Sequence, residues 1–260
     1  MKKMRYIIFM FVLFMPFMAF SQHEGSSADN PMIAFRLVAK AGLNIGAATP
    51  LSIPVEIREM KGYNPGLNGS IGVDALMDFD SLNTSRWTVG TGLYVERKSM
   101  TTKARTKNYS TEIVNNGNVI SGVWTGDVET AFSAHALSLP VFLSYRAAPK
   151  FSIRAGVYVS FLFSKTFEGS VYDGYLREGN PTGEKIVFEN GSSAQYEFSD
   201  ELKNVHSGLL LGAEYNVSKR FIVSGQLTYG LSDIFKRDFK TVSFAMHPIF
   251  FNLSIGYWFL

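Results

Sequence analysis

Phe251-Asn252-Leu253-Ser254-Ile255-Gly256-Tyr257-Trp258-Phe259-Leu260 closes the chain with bulky apolar residues at the odd positions and small or polar ones at 252, 254 and 256. Successive side chains of a strand point to opposite faces, so a period of two marks a strand with two unlike environments. A strand that carries aromatic residues to the chain end suits the closing seam of a transmembrane β-barrel, where outward aromatics sit at the membrane interface.

The opposite end of the sequence supplies an address. Lys2, Lys3 and Arg5 precede an apolar run from Tyr6 to Phe20, and Ala19-Phe20-Ser21 before Gln22 places small residues at the outer positions of a signal-peptidase site. Residues 1–21 therefore read as a signal peptide for export, and 22–260 as one mature domain. The run is short for a span of ~20 residues and has no stop-transfer flank. Removing those three cations from the 25 Lys+Arg leaves as many as the 22 Asp+Glu, so the mature chain is neutral and shows no electrostatic reason to bind nucleic acid. With no Cys there is no lipoprotein cysteine, disulfide or thiolate metal site. No second apolar stretch is long enough for a spanning helix, so entry into a membrane requires a closed barrel.

Eight segments repeat the alternation. Leu37 to Ile45, Ile71 to Met77, Trp87 to Val95, Leu137 to Tyr145, Phe151 to Phe163, Leu209 to Tyr215 and Phe221 to Leu231 place apolar residues at odd positions, and the terminal segment is the eighth. A β-sandwich alternates as well. Connection lengths separate the two architectures: the links Asp78–Arg86, Arg146–Lys150 and Asn216–Arg220 are short, whereas those after the first, third, fifth and seventh segments are long. A barrel with both termini in the periplasm has short turns inside and long loops outside, and a sandwich has no reason to sort its loops in this way. The expected fold is an all-β, eight-stranded antiparallel up-and-down transmembrane barrel with long extracellular loops.

Lys40-Ala41-Gly42-Leu43-Asn44, Leu137-Ser138-Leu139-Pro140-Val141, Ala155-Gly156-Val157-Tyr158, Gly208-Leu209-Leu210-Leu211-Gly212-Ala213, Tyr229-Gly230-Leu231 and Ser254-Ile255-Gly256-Tyr257-Trp258-Phe259 follow one another in an order and spacing that resembles the PorT-like outer-membrane β-barrel proteins of the Bacteroidota. The resemblance spans most of the mature chain. It implies a Gram-negative outer-membrane location, outer-membrane lipid as surroundings, and a C-terminal strand with Tyr257 and Phe259 that the barrel-assembly machinery handles. The namesake takes part in secretion, and no residue here carries that role across. Leu260 after Phe259 departs from the pattern, since such chains more often end on the aromatic itself.

An eight-stranded barrel has an interior filled by side chains, which disfavours a diffusion pore. Arg36, Lys40, Asp74, Glu96, Arg154 and Glu214 fall on the inward face, and three charges of each sign in a narrow lumen are expected to pair. Asp74 is placed to reach Arg36 or Lys40. A proton or ion path, or a gate that opens by re-pairing, is the functional alternative.

Catalytic signals are thin, and no catalytic, cofactor or metal residue is assigned. Small barrels can act on lipids with a Ser, a His and an acid, which brings His135 with Ser133 and His206 with Ser207 into consideration. Neighbours on a strand face opposite ways, which disfavours the second pair. His135 and Ser133 share a face without an acid at fixed spacing. His23 and His247 add no metal pattern. The long loops are the remaining candidates for an envelope protein or extracellular ligand. Loop 98–133 opens with Lys98, Lys103, Arg105 and Lys107 and carries an Asn115–Gly117 turn that suggests a projecting hairpin. Loop 164–204 is acidic, with Tyr172, Tyr175, Phe188 and Tyr196 among its charges, so the two either pack as a cap or bind a partner. Asp80-Ser81-Leu82 matches a short O-glycosylation sequence used by Bacteroidota.

Overall fold

The computed structural model describes residues 35–78, 86–115 and 117–259; the signal segment 1–21 and the Asp80-Ser81-Leu82 sequence lie outside them. Ten strands follow one another: β1 (Phe35–Thr49), β2 (Ile57–Asn64), β3 (Asn68–Asp78), β4 (Trp87–Asn115), β5 (Asn118–Ala148), β6 (Phe151–Glu178), β7 (Lys185–Glu197), β8 (Val205–Asn216), β9 (Phe221–Gly230) and β10 (His247–Phe259). Eight of them form a closed antiparallel ring in the order β1-β3-β4-β5-β6-β8-β9-β10, and β10 returns to β1. The seam runs without a register break from Leu37↔Phe259 to Thr49↔His247.

Alternation along each strand sorts the side chains. Leu43, Ile71, Val157, Leu211 and Ile255 point outward and stay at least half exposed, while their chain neighbours Gly42, Gly72, Gly156, Leu210 and Ser254 face the interior, where Leu210 and Ser254 are buried. An apolar belt around a whole ring is far larger than the apolar patches of soluble monomers, and it matches the lipid-facing band of a membrane barrel. The short connections gather at the end where β1 starts, with Pro149–Lys150 the tightest. The long connections gather at the other end.

Those long connections are mostly strand. β4, β5 and β6 run for 29, 31 and 28 residues, against the ~9–11 a tilted strand needs to cross a bilayer. Their surplus rises beyond the belt as a head. β4 and β5 pair as far as Asn115↔Asn118, and Gly117 before β5 takes φ 81°, in the left-handed region that favours glycine. β2 and β7 have no counterpart among the eight expected segments. β2 lies along β4 through two register breaks, and β7 pairs with β6 and meets β4 at Val114↔Gln195, which curls the upper strands around a common core. Ile113, Trp124, Val171, Leu176, Leu202 and Ile234 are fully enclosed there. The connection between β9 and β10 closes over them with Phe235 and Phe239, whose rings stand 4.8 Å apart.

The face assignment has a direct consequence. Val157→Arg, outward at mid-strand, is expected to cost ~2–4 kcal/mol in the bilayer, whereas Ser160→Thr, inward, leaves refolding stability in lipid vesicles near that of the parent. Equal losses for the two variants would contradict the inside–outside pattern.

Candidate lumen charge cluster and folded head

Even positions of β1, β3, β6 and β8 bring Lys40, Asp74, Arg154 and Glu214 into the lumen, all at most 5% exposed. Lys40 Nζ lies 2.7 Å from Asp74 Oδ2 and 2.5 Å from Glu214 Oε1, and Arg154 Nη1 lies 2.9 Å from each of the same two oxygens. Each cation thus touches both anions. β1 and β3 stand across the ring from β6 and β8, so the four-charge square ties opposite walls together. Tyr94 Oη donates to the remaining oxygen of Asp74 at 2.6 Å. The Arg154 guanidinium also lies 4.9 Å from the centre of the Phe142 ring. Gly90 makes room for that ring, since a Cβ there would fall 2.4 Å from it. Val38, Leu76, Phe142, Leu210 and Ile222 fill the adjoining lumen with apolar side chains.

The other two predicted lumen charges stand apart from the square. Arg36 meets Asp78 through two 2.9 Å hydrogen bonds and lies over the Trp258 ring at the rim, with more than a third of its side chain exposed. Of the two expected partners for Asp74, Lys40 is the one in contact; Arg36 is four residues away along the strand, ~13 Å at strand rise, too far to share the site. Glu96 belongs to a second polar layer. Lys98 Nζ lies 2.7 Å from it, Asn44 Nδ2 donates to it at 3.3 Å, and Ser138 Oγ donates as well. Ser138 continues to Ser160 at 2.6 Å, and Asn252 donates to Asn44 and Ser70. Lys98 is a lumen residue that its place at the start of a presumed loop concealed. Its parity with Glu96, two residues back on the same face, is the signal that identifies it.

His206 is buried inside the ring while Ser207 faces out, so the two are not a pair. Ser133 and His135 share the outer face near Phe163, whose ring is 6.1 Å from that of His135. Among the described residues no three His, Asp or Glu side chains come together as a metal site.

In the head, Lys103 and Arg105 of 98–133 are answered within their own sheet. Lys103 lies 3.2 Å from Glu129, and Asp127 receives Arg105 at 2.8 Å and Lys61 at 2.5 Å. What joins 98–133 to 164–204 is apolar: Trp124 packs edge-on against Phe188 at 5.6 Å, and the buried Tyr196 hydroxyl donates to the Glu129 carbonyl at 3.0 Å. The two segments therefore pack together. Burial opposes ionisation of Asp127, but hydrogen bonds from Arg105 and Lys61 outweigh it and hold the carboxyl below the usual carboxylate range.

Two outcomes follow. Asp74→Asn leaves two buried cations to one anion and is expected to destabilise the barrel by ~3–5 kcal/mol; adding Lys40→Met leaves Arg154 with Glu214 and restores part of the loss, as read by denaturant unfolding in lipid. A single mutant as stable as the parent would mean that the lumen is hydrated. For Asp127, whose folded pKa is depressed, the clasp contributes fully above the unfolded carboxylate value of ~3.9 and is lost as pH falls through the lower folded value. The protection of β2 amides, taken against the intrinsic exchange rate at each pH, is expected to fall over that acid window, and Asp127→Asn to remove that fall.

Comparison with known proteins places residues 20–236 on the model of a family described as outer membrane protein beta-barrel domain. No curated protein matches the sequence. Among solved structures, Ail, the attachment invasion locus protein of Yersinia pestis, crystallised in complex with the heparin analogue sucrose octasulfate, is 10% identical with a TM-score of 0.36 over 86% of this chain and 97% of that one. Neisserial surface protein A is 9% identical with a TM-score of 0.33 over the same shares. The translocator domain of the autotransporter NalP from Neisseria meningitidis is 9% identical with a TM-score of 0.25, covering 99% of this chain and 98% of that one. Likeness at this level carries no argument about what the chain binds.

Proposed function

The chain belongs to the family of outer membrane protein beta-barrel domains, and from that premise we propose that it is a closed, non-enzymatic barrel that anchors a folded binding head outside the cell. The observation that carries this reading is the occluded lumen. The four-charge square ties opposite walls, a second polar layer surrounds Glu96 and Lys98, and the head core lies beyond. Eight strands leave no space for a channel beside such side chains. The head, in contrast, is ordered by its own apolar core, and strands that leave the membrane and continue for more than ten residues are a rigid way to present a surface.

Within the family, the quoted stretches from Lys40-Ala41-Gly42 to Tyr257-Trp258-Phe259 favour a PorT-like protein of the Bacteroidota, with envelope or secretion-complex organisation as its setting. Export by residues 1–21, and assembly through the strand carrying Tyr257 and Phe259, belong to the same proposal. A lipid-modifying enzyme is the second reading, favoured by Ser133 and His135 sharing an outer, lipid-side face. Labelled phospholipid tests it: turnover that His135→Ala abolishes would establish the enzyme.

Purified protein in planar bilayers is expected to show no large conductance, and porin-like currents would refute the closed lumen. On intact cells, Val119→Cys at the head tip is expected to react with an impermeant thiol reagent and Ala148→Cys at the short-turn end is not. The reverse pattern would invert the orientation.

A further inference from the structure

We propose that the outer face of the head is a homotypic adhesive surface, on which strands β6 and β7 of one copy dock antiparallel against the same strands of a second copy held in an opposing membrane. The inference rests on the head standing outside the cell.

The surface is built by strand register. β6 presents Asp173, Tyr175 and Arg177, and β7 presents Lys185, Val187 and Glu189. Arg177 pairs with Lys185 and Tyr175 with Val187. The face therefore carries a row of two cations, then an apolar row, then two anions, with Lys185 and Glu189 ~13 Å apart at strand rise. Asp173, Tyr175, Lys185, Val187 and Glu189 line one open cleft of about 380 Å³. Its cationic end is held in shape: Lys185 Nζ lies 4.4 Å from the centre of the Tyr175 ring, and Arg177 Nη1 donates to the Gly183 carbonyl at 3.1 Å.

The acidic end is built on irregular backbone. The β5–β6 register breaks between Thr125 and Asp127, and the β6–β7 register breaks between Tyr172 and Gly174. Asp173 takes φ 48° at that break. A Cβ on Gly126 would fall 2.6 Å from the Gly174 Cα, so only paired glycines let these strands approach. Bulges of this kind re-aim side chains, and Asp is among the few residues that tolerate the left-handed region.

Asp127 and Glu129 on β5 are neutralised by Lys61, Arg105 and Lys103; Asp173 acts on Arg105 without contact, and Asp173, Arg177, Lys185 and Glu189 form no direct ion pair among the described residues. Their partner is found by symmetry. A pattern of plus, apolar, minus is its own complement when two copies lie antiparallel, since each cation row then faces an anion row and the Tyr175–Val187 rows meet. Two copies in one membrane, related by an axis along the membrane normal, would set like rows level with like, which is repulsive. Opposed membranes supply the antiparallel arrangement. Six residues a side make a patch well below the ~800 Å² per partner of a stable interface, so single contacts are weak and adhesion depends on many copies acting together.

Full-length protein refolded into two vesicle populations, each labelled with a different dye, tests this by co-clustering. Wild-type vesicles are expected to cluster and to disperse as salt is raised. An acidic variant, Arg177→Glu with Lys185→Glu, and a basic variant, Asp173→Asn with Glu189→Lys, are each expected to cluster about tenfold less when used alone, and to recover when mixed with one another. Asn is chosen at 173 because it also accepts the left-handed backbone. Folding of both variants is checked by the heat-dependent gel shift of an intact barrel. Dispersed wild-type vesicles, persistent clustering of either variant alone, or a mixture of folded variants that stays dispersed would each overturn the proposal. Leakage of trapped dye from the same vesicles reports separately on the closed lumen, and impermeant labelling of Val119→Cys on cells reports on the outward head, so failure of either reading is distinguishable from failure of adhesion.

Discussion

A backbone N–H or C=O in hydrocarbon has no water to bond, so every such group must be paired within the protein. The union of β10 with β1 meets that demand. Without it the two strands would present a row of unpaired groups to lipid, and the sheet would be an open edge instead of a wall. The seam pairs residues in one unbroken register from Leu37↔Phe259 to Thr49↔His247. Once it closes, the parity of every strand is decided, because a slip by one residue would send the Leu37–Ile45 row inside and Lys40 into lipid.

Closure with eight strands makes a lumen that side chains must fill, and this chain fills it with charges in balance. Removing a single member of the Lys40–Asp74–Arg154–Glu214 square leaves a desolvated charge with too few partners, whereas the intact square has none. A buried ion cluster is a modest source of net stability, because desolvation offsets much of the Coulombic attraction. Its contribution here is geometric. Lys40 and Asp74 from one wall meet Arg154 and Glu214 from the other in one arrangement, and the aromatic groups of Tyr94 and Phe142 pack against it.

Beyond the membrane the same strands continue without a break into a second core. Met100, Phe132, Phe167 and Phe250 begin it near the lumen, and Trp124, Ile113 and Leu176 complete it toward the tip. The division of labour is chemical. Apolar side chains point in and hold 98–133 to 164–204, while charges point out, where Lys103 meets Glu129 and Arg105 and Lys61 meet Asp127 across adjacent strands. The face carrying Asp173, Tyr175 and Arg177 beside Lys185, Val187 and Glu189 sets two cations and two anions on either side of an apolar row.

Alternation alone was enough to place the eight ring strands, because one face of each meets lipid and the other a packed lumen, and that contrast is written into adjacent residues such as Ile255 and Gly256. The lengths of the links sorted the short turns from the long connections for the same reason. Sequence did not separate strand from loop in 98–133 and 164–204, where the outward face meets water and Lys103 or Arg105 is as acceptable there as in a loop. β2 and β7 escaped notice on similar grounds, since solvent-side strands with bulges lose the period of two. The contacts of the charges depended wholly on tertiary structure: Arg36, Lys40, Asp74, Glu96, Arg154 and Glu214 share a parity, but parity sets only the face. Height along the barrel axis and position around the ring decide that Arg36 meets Asp78 at the rim, that Glu96 meets Lys98, and that the other four meet one another, because a charge–charge contact requires side chains from distant strands to arrive within a few ångströms of one point.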